Sequence, residues 1–332
     1  MELPVSVISL EDTPQCASSL LEAAKTLGFV YITVQDSVMP ASRIDRMWEL
    51  SKQFFSSPSE QKEKCVISKD NTGWMMRFET LDPKNQRQPD FKEAFNLGEF
   101  KDGKAQQPLP ASFADNETEL NEFQDLCHDL CLKLLRLFAI ALNIDPAEGG
   151  AEWFTPRHCS PSGTTLRFLY YPTVAVGEYS PVLDIRAGAH SDYGSITLLF
   201  QRPSEPGLEI HHPITKSWHA VPVLPSAILV NIGDLLSYWT AGLLQSTVHR
   251  VVFPEPTNPE DAPQDRYSIA YFCHPVNETP LTPIPSEVVR SMGERGANAT
   301  SGSEGGVLTA EGHLKEKLRA TYGWKGREKD GT

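Results

Sequence analysis

Gly188-Ala189-His190-Ser191-Asp192-Tyr193-Gly194 is the stretch that decides the fold. The apolar run from Ile196 to Phe200 follows it, so the stretch is predicted to lead into a β-strand. Residues i and i+2 of a strand point to the same face, which allows His190 and Asp192 to bind one ion together. A second histidine, His249, stands among β-branched residues in Ser246-Thr247-Val248-His249-Arg250-Val251-Val252. Two histidines and one carboxylate on strands predict a metal site.

The donor set favours two metals. A facial triad of two histidines and one carboxylate leaves three adjacent positions of an octahedral Fe(II) ion for a bidentate co-substrate and O2. Zinc is the competing metal, and it would form a tetrahedral site with a single water. The spacing of His190, Asp192 and His249 is compatible with both ions.

A buried cation favours iron. In Asp265-Arg266-Tyr267-Ser268-Ile269-Ala270-Tyr271-Phe272, alternation places Arg266 and Ser268 on one face of a strand. An arginine in an apolar strand is costly unless it has an anionic partner, and its planar fork suits a carboxylate. That partner is either a dicarboxylate co-substrate or a carboxylate of the protein. A dicarboxylate co-substrate could bind Arg266 with one carboxylate and the open positions of an octahedral metal with its other end, which favours Fe(II) over zinc.

Two further polar residues carry weaker signals. In Arg167-Phe168-Leu169-Tyr170-Tyr171-Pro172, Tyr171 shares a face with Arg167 and Leu169. It is predicted to offer its phenol to the end of the co-substrate away from Arg266, with simple packing as the alternative. Asp234 lies in a Gly-Asp turn and is predicted to be structural rather than a second carboxylate ligand.

Composition excludes several classes of protein. The chain has 332 residues, a net charge of −13, 40% hydrophobic and 22% charged residues, which is typical of a globular protein with ample core. The acidic balance argues against nucleic acid or an anionic membrane as a partner. The N-terminus lacks the features of a secretory signal, and the six cysteines form no CxxC pair, so they are predicted to be reduced thiols in a cytoplasmic protein. The oligomeric state is left open.

The predicted fold class is α+β, a double-stranded β-helix (jelly roll) core flanked by helices and preceded by an α/β N-terminal region. Residues 68–112 read as irregular, and 117–144 as the longest helix. Short strands separated by turns are typical of a jelly roll, and they are predicted at 164–171, 182–192, 195–201, 207–211, 218–222, 226–231, 246–253 and 266–273. The predicted organisation is an N-terminal region 1–120, a connecting helix 121–160, a jelly-roll domain 161–278 and a helical tail 279–332.

The sequence resembles the isopenicillin N synthase-like branch of the Fe(II)/2-oxoglutarate-dependent dioxygenases. The resemblance runs from residue 4 to about residue 322. Its motifs are Gly28-Phe29, Gln53-Phe54-Phe55 with Glu60-Gln61-Lys62, His190-x-Asp192 with Gly194, Gly207-Leu208-Glu209-Ile210, Val230-Asn231-Ile232-Gly233-Asp234-Leu235-Leu236, Ser246 to Val251 and Arg266-x-Ser268.

The resemblance implies that His190, Asp192 and His249 are the catalytic Fe(II) ligands. It implies that Arg266 and Ser268 bind the distal carboxylate of 2-oxoglutarate, with Tyr171 near its other end, and that O2 is the second co-substrate. The chain departs from the family pattern in two places. Leu169 replaces the usual asparagine two positions before the tyrosine, and the connection Pro254–Gln264 is long and rich in proline and acidic residues.

The implied reaction is oxidation of a small molecule, by hydroxylation, desaturation or ring rearrangement or expansion, with release of succinate and CO2. The insert and tail resemble those of fungal members, so a polyketide-type secondary metabolite is the predicted substrate. One alternative is an iron oxidase that does not consume 2-oxoglutarate, and the other is a non-catalytic jelly-roll binding module. Pocket lining and packing are both open for five residues outside the strand core: Trp74, Phe95, Trp153, Phe154 and His158.

Overall fold

A computed structural model describes most of the chain, namely residues 5–76, 79–82, 84–86, 88–174, 184–253, 264–292 and 307–322. Within the predicted helical tail, residues 293–306 lie outside the described residues, as does nearly all of the Pro254–Gln264 connection.

The helices and strands alternate at the start of the chain, and strands dominate from residue 165 onward. The helices are α1 (Pro14–Thr26), α2 (Ala41–Phe55), α3 (Ser59–Lys62), α4 (Ala111–Ala114), α5 (Glu117–Ala141), α6 (Asp234–Trp239), α7 (Glu287–Arg290) and α8 (Ala310–Tyr322). The strands are β1 (Val7–Ser9), β2 (Phe29–Thr33), β3 (Gly73–Met76), β4 (Glu93–Leu97), β5 (Phe100–Lys101), β6 (Lys104–Ala105), β7 (Thr165–Tyr171), β8 (Ala187–His190), β9 (Ile196–Gln201), β10 (Leu208–His211), β11 (Trp218–Ala220), β12 (Ile228–Ile232), β13 (His249–Val251) and β14 (Arg266–Cys273).

Two facing sheets form the jelly roll. The larger sheet has eight strands in the order β1-β2-β12-β9-β14-β7-β4-β3, and the smaller has four in the order β11-β10-β13-β8. All pairs in the two sheets are antiparallel except β1 with β2. Strands β1 to β4, which come from the N-terminal third of the chain, therefore complete the same sheet as the later strands. Strands β5 and β6 form a separate hairpin.

The eight-stranded sheet is buried on both faces. Its outer face packs on α1, α2, α4 and α5, for example through Phe123 of α5 against Phe200 of β9, with ring centroids 5.4 Å apart. Its inner face packs on the smaller sheet, where Leu208, Ile210 and Val251 meet residues such as Leu229 and Ala270. Side chains alternate between the two faces of β14. Ile269 and Tyr271 pack in the core shared with the helices, whereas Arg266 and Ser268 face the pocket on the inner side of the sheet.

The sequence predictions and the observed elements agree for the long amphipathic helix and for most strands. The predicted strand 182–192 is shorter than expected, since β8 covers only Ala187–His190. Strands β3 and β4 lie in the stretch that the sequence predicted to be irregular. The polar residues Glu93 and Asn96 interrupt the apolar pattern of β4, yet both are buried. Lys62 and Trp74 satisfy Glu93, and a backbone carbonyl at Asn71 satisfies the Asn96 amide.

The six cysteines are free, and five of them are buried, as expected of reduced thiols. Cys127 and Cys131 face the core from α5. Among the described residues, we find no helix that is both long and apolar enough to cross a membrane.

Truncation of Phe95 tests the core beneath the site. Phe95 is fully buried, and its ring centroid lies 5.1 Å from those of Phe54 and Phe113. Phe95→Ala should lower the free energy of unfolding by about 3–5 kcal/mol through lost burial and a residual cavity. Chemical denaturation measures the change. Ile214→Ala, at a site that is 79% exposed, is the control and should change it by less than about 0.5 kcal/mol. Equal effects would contradict this account of the core.

Candidate metal centre

The three predicted ligands meet inside the jelly roll. His190 ends β8, Asp192 follows it, and His249 begins β13, which pairs His249 directly with His190. The Asp192 Oδ1 atom lies 3.8 Å from His190 Nε2 and 3.7 Å from His249 Nε2. The three donor atoms lie within 4.8 Å of one another. Two imidazole nitrogens and one carboxylate at these distances fit a single transition-metal ion.

Hydrogen bonds orient both imidazoles. The Nδ1–H of His190 donates to the Gly188 carbonyl (2.7 Å), and that of His249 donates to the Thr247 carbonyl (3.1 Å). Each Nε2 atom therefore carries the lone pair needed by a metal. Burial, followed by the neighbouring His249, lowers the pKa of His190 to about 3, so this ring is neutral at physiological pH. The ring of Phe29 packs edge-on against His249.

The second oxygen of Asp192 is held by two residues of the large sheet. Its Oδ2 atom accepts hydrogen bonds from Thr197 Oγ1 and Asn231 Nδ2, each 2.7 Å long. Burial alone raises the pKa of Asp192, but the two histidines and these hydrogen bonds bring it below its usual value. The carboxylate is therefore ionised and has one oxygen directed at the histidines.

Glycines allow the backbone around Asp192 to pack closely. A Cβ on Gly233 would stand 2.2 Å from the Gly194 carbonyl oxygen, and one on Gly194 would stand 2.6 Å from the Cys273 carbonyl oxygen. This close approach lets the Asp234 N–H donate to the Asp192 carbonyl at 2.7 Å. The glycine of the opening motif thus fixes the turn that carries Asp192.

Arg266 lies in the same pocket as the triad. The residue is only 1% exposed, and its guanidinium contacts neutral acceptors: the Glu205 carbonyl (3.2 Å), Ser268 Oγ (3.3 Å) and Gln201 Oε1 (3.3 Å). No carboxylate of the described residues lies within ion-pair distance of it, so the protein ion pair that the sequence left open is not found there. Burial lowers the pKa of Arg266, and the nearby Tyr171 and Glu205 side chains offset this only in part.

The position predicted for Tyr171 within the pocket is wrong. Tyr171 of β7 is paired directly opposite Arg266 of β14, and the guanidinium carbon lies 4.9 Å from its ring centroid. Its phenol is therefore at the Arg266 end of the pocket, not at the far end. The sequence located the correct face of β7 by alternation but contained no information on the register between β7 and β14. Leu169, in place of the usual asparagine, faces the pocket opposite Ser268.

A buried polar cluster on the pocket wall was missed by the sequence reading. Lys92 Nζ contacts Glu79 Oε2 (2.5 Å) and Asp90 Oδ2 (2.7 Å), and Arg167 Nη2 contacts Glu79 Oε1 (2.8 Å). Burial lowers the pKa of Lys92, but the two carboxylates outweigh it and raise the pKa to about 12. The signal in the sequence was the presence of charged residues in segment 68–112 and in β7, but nothing in their spacing showed that they would be buried together. Charged residues are rarely buried unless they are paired.

The five aromatic candidates for pocket lining are core residues instead. All are buried, and their contacts lie among helices and core strands, as in the edge-on contact of Trp153 with Trp239. Both ring nitrogens of His158 are satisfied, by the Phe154 carbonyl and by Ser195 Oγ. Among the residues that do line the pocket are Tyr193, Phe272, His274, Leu314 and Leu318.

Comparison with protein families identifies two matching segments. Residues 163–275 match the family model of the 2OG-Fe(II) oxygenase superfamily. Residues 3–117 match the model of the non-haem dioxygenase in morphine synthesis N-terminal region. The first segment contains the triad, Arg266 and Ser268, and the second contributes strands β1 to β4 of the large sheet.

Several proteins are similar over most of the chain. A UPF0676 protein of Schizosaccharomyces pombe is 36% identical over 98% of this chain and 94% of its own. A proline hydroxylase of Petromyces alliaceus is 32% identical over 77% of this chain and 80% of its own. A full-length Neurospora crassa protein, solved in complex with alpha-KG and 5-formyluracil, is 30% identical, covers 96% of both chains and superposes with a TM-score of 0.77. The same protein has been solved with alpha-KG and thymine.

Thr197→Val should weaken Fe(II) binding about 10- to 100-fold, because it removes one of the two hydrogen bonds that orient Asp192 while keeping the shape of the side chain. Anaerobic calorimetry with Fe(II) measures the affinity. His190→Ala should abolish binding, and Thr215→Val, in an exposed turn, should leave it unchanged. Wild-type affinity in Thr197→Val would show that this contact does not support the metal site, and undiminished binding by His190→Ala would exclude the triad itself.

Proposed function

The chain belongs to the 2OG-Fe(II) oxygenase superfamily, and on that premise we propose that it couples decarboxylation of 2-oxoglutarate to oxidation of a small polar ring compound held beside the triad. It is a 2-oxoglutarate-dependent dioxygenase, an oxidoreductase whose cofactors are Fe(II) and 2-oxoglutarate and whose second co-substrate is O2. The bound metal supplies the redox chemistry that converts 2-oxoglutarate and O2 into succinate, CO2 and an oxidised substrate.

The observation that carries the assignment of residues is the buried guanidinium of Arg266 beside a His-Asp-His triad. A dicarboxylate is the anion that this arrangement suits, because one carboxylate would meet the fork of Arg266 and the other end would be held at the metal. We assign His190, Asp192 and His249 as metal ligands. We assign Arg266, Ser268 and Tyr171 to the distal carboxylate, and this differs from the sequence prediction in placing the phenol at the Arg266 end.

The remaining half of the pocket supports a polar substrate. Asn96 is paired with Arg167 across β4 and β7, and Arg167 lies four residues before Tyr171 on β7. The Asn96 amide nitrogen donates to Asn71, which leaves its buried Oδ1 without a partner among the described residues. Oδ1 can accept an N–H, and the Arg167 guanidinium can donate to a carbonyl. These are complementary to a ring that carries N–H and carbonyl groups.

Aromatic side chains and a neutral imidazole complete this half. Phe272 and Tyr193 offer faces or edges for a planar ring. His274 is 5% exposed, and burial, followed by His313, lowers its pKa to about 3, so it meets a substrate as a neutral ring. The role of these residues is to orient the substrate and exclude water while the metal ligands stay fixed.

A pyrimidine base is the first candidate substrate. The pocket offers one acceptor, one cationic donor and aromatic walls, and the similar Neurospora crassa protein has been crystallised with thymine and with 5-formyluracil. The polyketide-type metabolite predicted from the sequence is the second candidate. It is favoured by the apolar residues Leu81, Leu314 and Leu318 on the same pocket, but it would offer fewer polar groups to the wall formed by Asn96 and Arg167.

The two alternative functions considered from the sequence would each leave a feature of the pocket unexplained. An iron oxidase that does not use 2-oxoglutarate would have no anion for Arg266. A non-catalytic binding module would have no need of two imidazoles oriented by hydrogen bonds around an ionised carboxylate. Both are therefore less consistent with the pocket than a 2-oxoglutarate oxygenase.

The decisive experiment is turnover with purified enzyme, Fe(II), 2-oxoglutarate and a panel of pyrimidines, aromatic polyketides and cyclic amino acids. We expect succinate formation to rise with a pyrimidine, and mass spectrometry to detect a product one oxygen heavier. Stimulation by polyketides alone would favour the second candidate. Substrate oxidation without 2-oxoglutarate would favour the oxidase, and a protein that binds no metal would be a binding module.

Arg266→Met should raise the KM for 2-oxoglutarate by about 30-fold or more, because a buried contact between charged groups is lost at a cost of about 2–5 kcal/mol. Fe(II) affinity should stay within about 3-fold of wild type, since Arg266 does not touch the triad. Arg250→Met is the matched control: Arg250 pairs with Glu209 on the neighbouring sheet and should leave the KM unchanged. A wild-type KM in Arg266→Met would place the co-substrate elsewhere.

A further inference from the structure

Helix α8 forms a wall of the substrate half of the pocket. Leu314 and Leu318 stand four residues apart, on one face of the helix, and both line the pocket. Leu314 also packs directly on the jelly roll, since a Cβ on Gly163 would stand 2.4 Å from its Cδ2 atom. The helix therefore covers the pocket near Gly163 and His274, away from Arg266.

The two ends of α8 are attached in different ways. Its N-terminal end is anchored by main-chain hydrogen bonds, from the Ala310 N–H to Thr279 (2.9 Å) and from the Glu311 N–H to Asn277 (3.0 Å). Beyond that first turn, side chains make the attachment. Lys317 Nζ lies 2.6 Å from Asp234 Oδ2, and the hydroxyl groups of Thr321 and Tyr193 are hydrogen-bonded.

Asp234 links this attachment to the metal ligands. Its N–H donates to the Asp192 carbonyl (2.7 Å), and its Oδ1 accepts a hydrogen bond from Ser246 (2.6 Å), which lies three residues before His249. Its side chain is 15% exposed, against 38% for that of Lys317. The carboxylate is thus fixed in the jelly roll, and Lys317 is the more exposed partner that reaches it from the helix.

We propose that Lys317 is a positioning residue whose ion pair with Asp234 holds α8 closed over the substrate half of the pocket. Closure by this pair seats Leu314 and Leu318 against the substrate and keeps water from the metal. The proposal rests on the proposed function in one respect, namely that the substrate occupies the half of the pocket beneath α8. Because Lys317 is partly exposed, salt screens the pair and weakens closure.

Two substitutions serve as matched controls. Lys315 is on the same helix, is exposed and pairs within the helix with Glu311. Lys315→Met therefore removes the same charge without touching Asp234. Lys317→Arg retains a cation that can reach the carboxylate and should restore wild-type behaviour. Thermal melting of each variant checks that the jelly roll remains folded.

Hydrogen exchange of the intact protein, followed by mass spectrometry, tests the closure without any substrate. Lys317→Met should speed the exchange of amides 314–321 at low salt by up to about 5-fold, the range expected for an exposed ion pair. Lys315→Met and Lys317→Arg should match wild type, and added salt should raise exchange in wild type but not in Lys317→Met. Equal exchange in wild type and Lys317→Met would overturn the proposal.

Steady-state turnover with thymine as the probe tests the consequence for catalysis. Lys317→Met should raise the KM for thymine about 3- to 5-fold with kcat nearly unchanged, and the KM for 2-oxoglutarate should not move. A fall in kcat with an unchanged KM would overturn the positioning role. If wild type does not turn over thymine, the pyrimidine assignment fails, whereas the exchange experiment still decides whether Lys317 holds the helix.

Discussion

The pairing of His249 with His190 across β13 and β8 is the contact on which the rest of the site depends. Side chains alternate along a strand, so a slip of one residue in this pair would turn one imidazole out of the pocket. Strand β10 supports β13 from its other edge, and Phe29 of the large sheet packs on the His249 ring. Both sheets must therefore be assembled, at a fixed separation, before three donor atoms can meet.

Charge burial divides the pocket into regions with different functions. Asp192 is satisfied by Thr197 and Asn231, which leaves one oxygen for a metal. Lys92 stays protonated, and the carboxylates of Glu79 and Asp90 balance its charge. Arg266 contacts neutral acceptors among the described residues, so an anion is attracted to that end. In a low-dielectric interior such differences are large, and they support the orientation that we propose for the dicarboxylate, with its distal end at Arg266.

The turn that carries Asp192 also connects the metal site to the covering helix. Gly194 and Gly233 permit the close backbone contact that brings Asp234 to Asp192. The sequence predicted that Asp234, in its Gly-Asp turn, is structural, and its contacts are consistent with that prediction. The turn motif did not indicate that the Asp234 side chain also pairs with Lys317, near the end of the chain.

The sequence by itself determined the candidate ligand set and the fold class. His190-x-Asp192 and Arg266-x-Ser268 are local patterns, and strand alternation places each pair of side chains on one face wherever the strand lies. Only the tertiary structure decided what depends on neighbours distant in the chain. The register of β7 against β14 places Tyr171 at the Arg266 end of the pocket. Strand β4 pairs with β3 and β7, and its buried Glu93 is tolerated there because Lys62 and Trp74 satisfy it. These contacts join segments that are far apart in the sequence, and no local pattern of residues indicates which distant segments will meet. The substrate half of the pocket therefore could not be derived from the sequence.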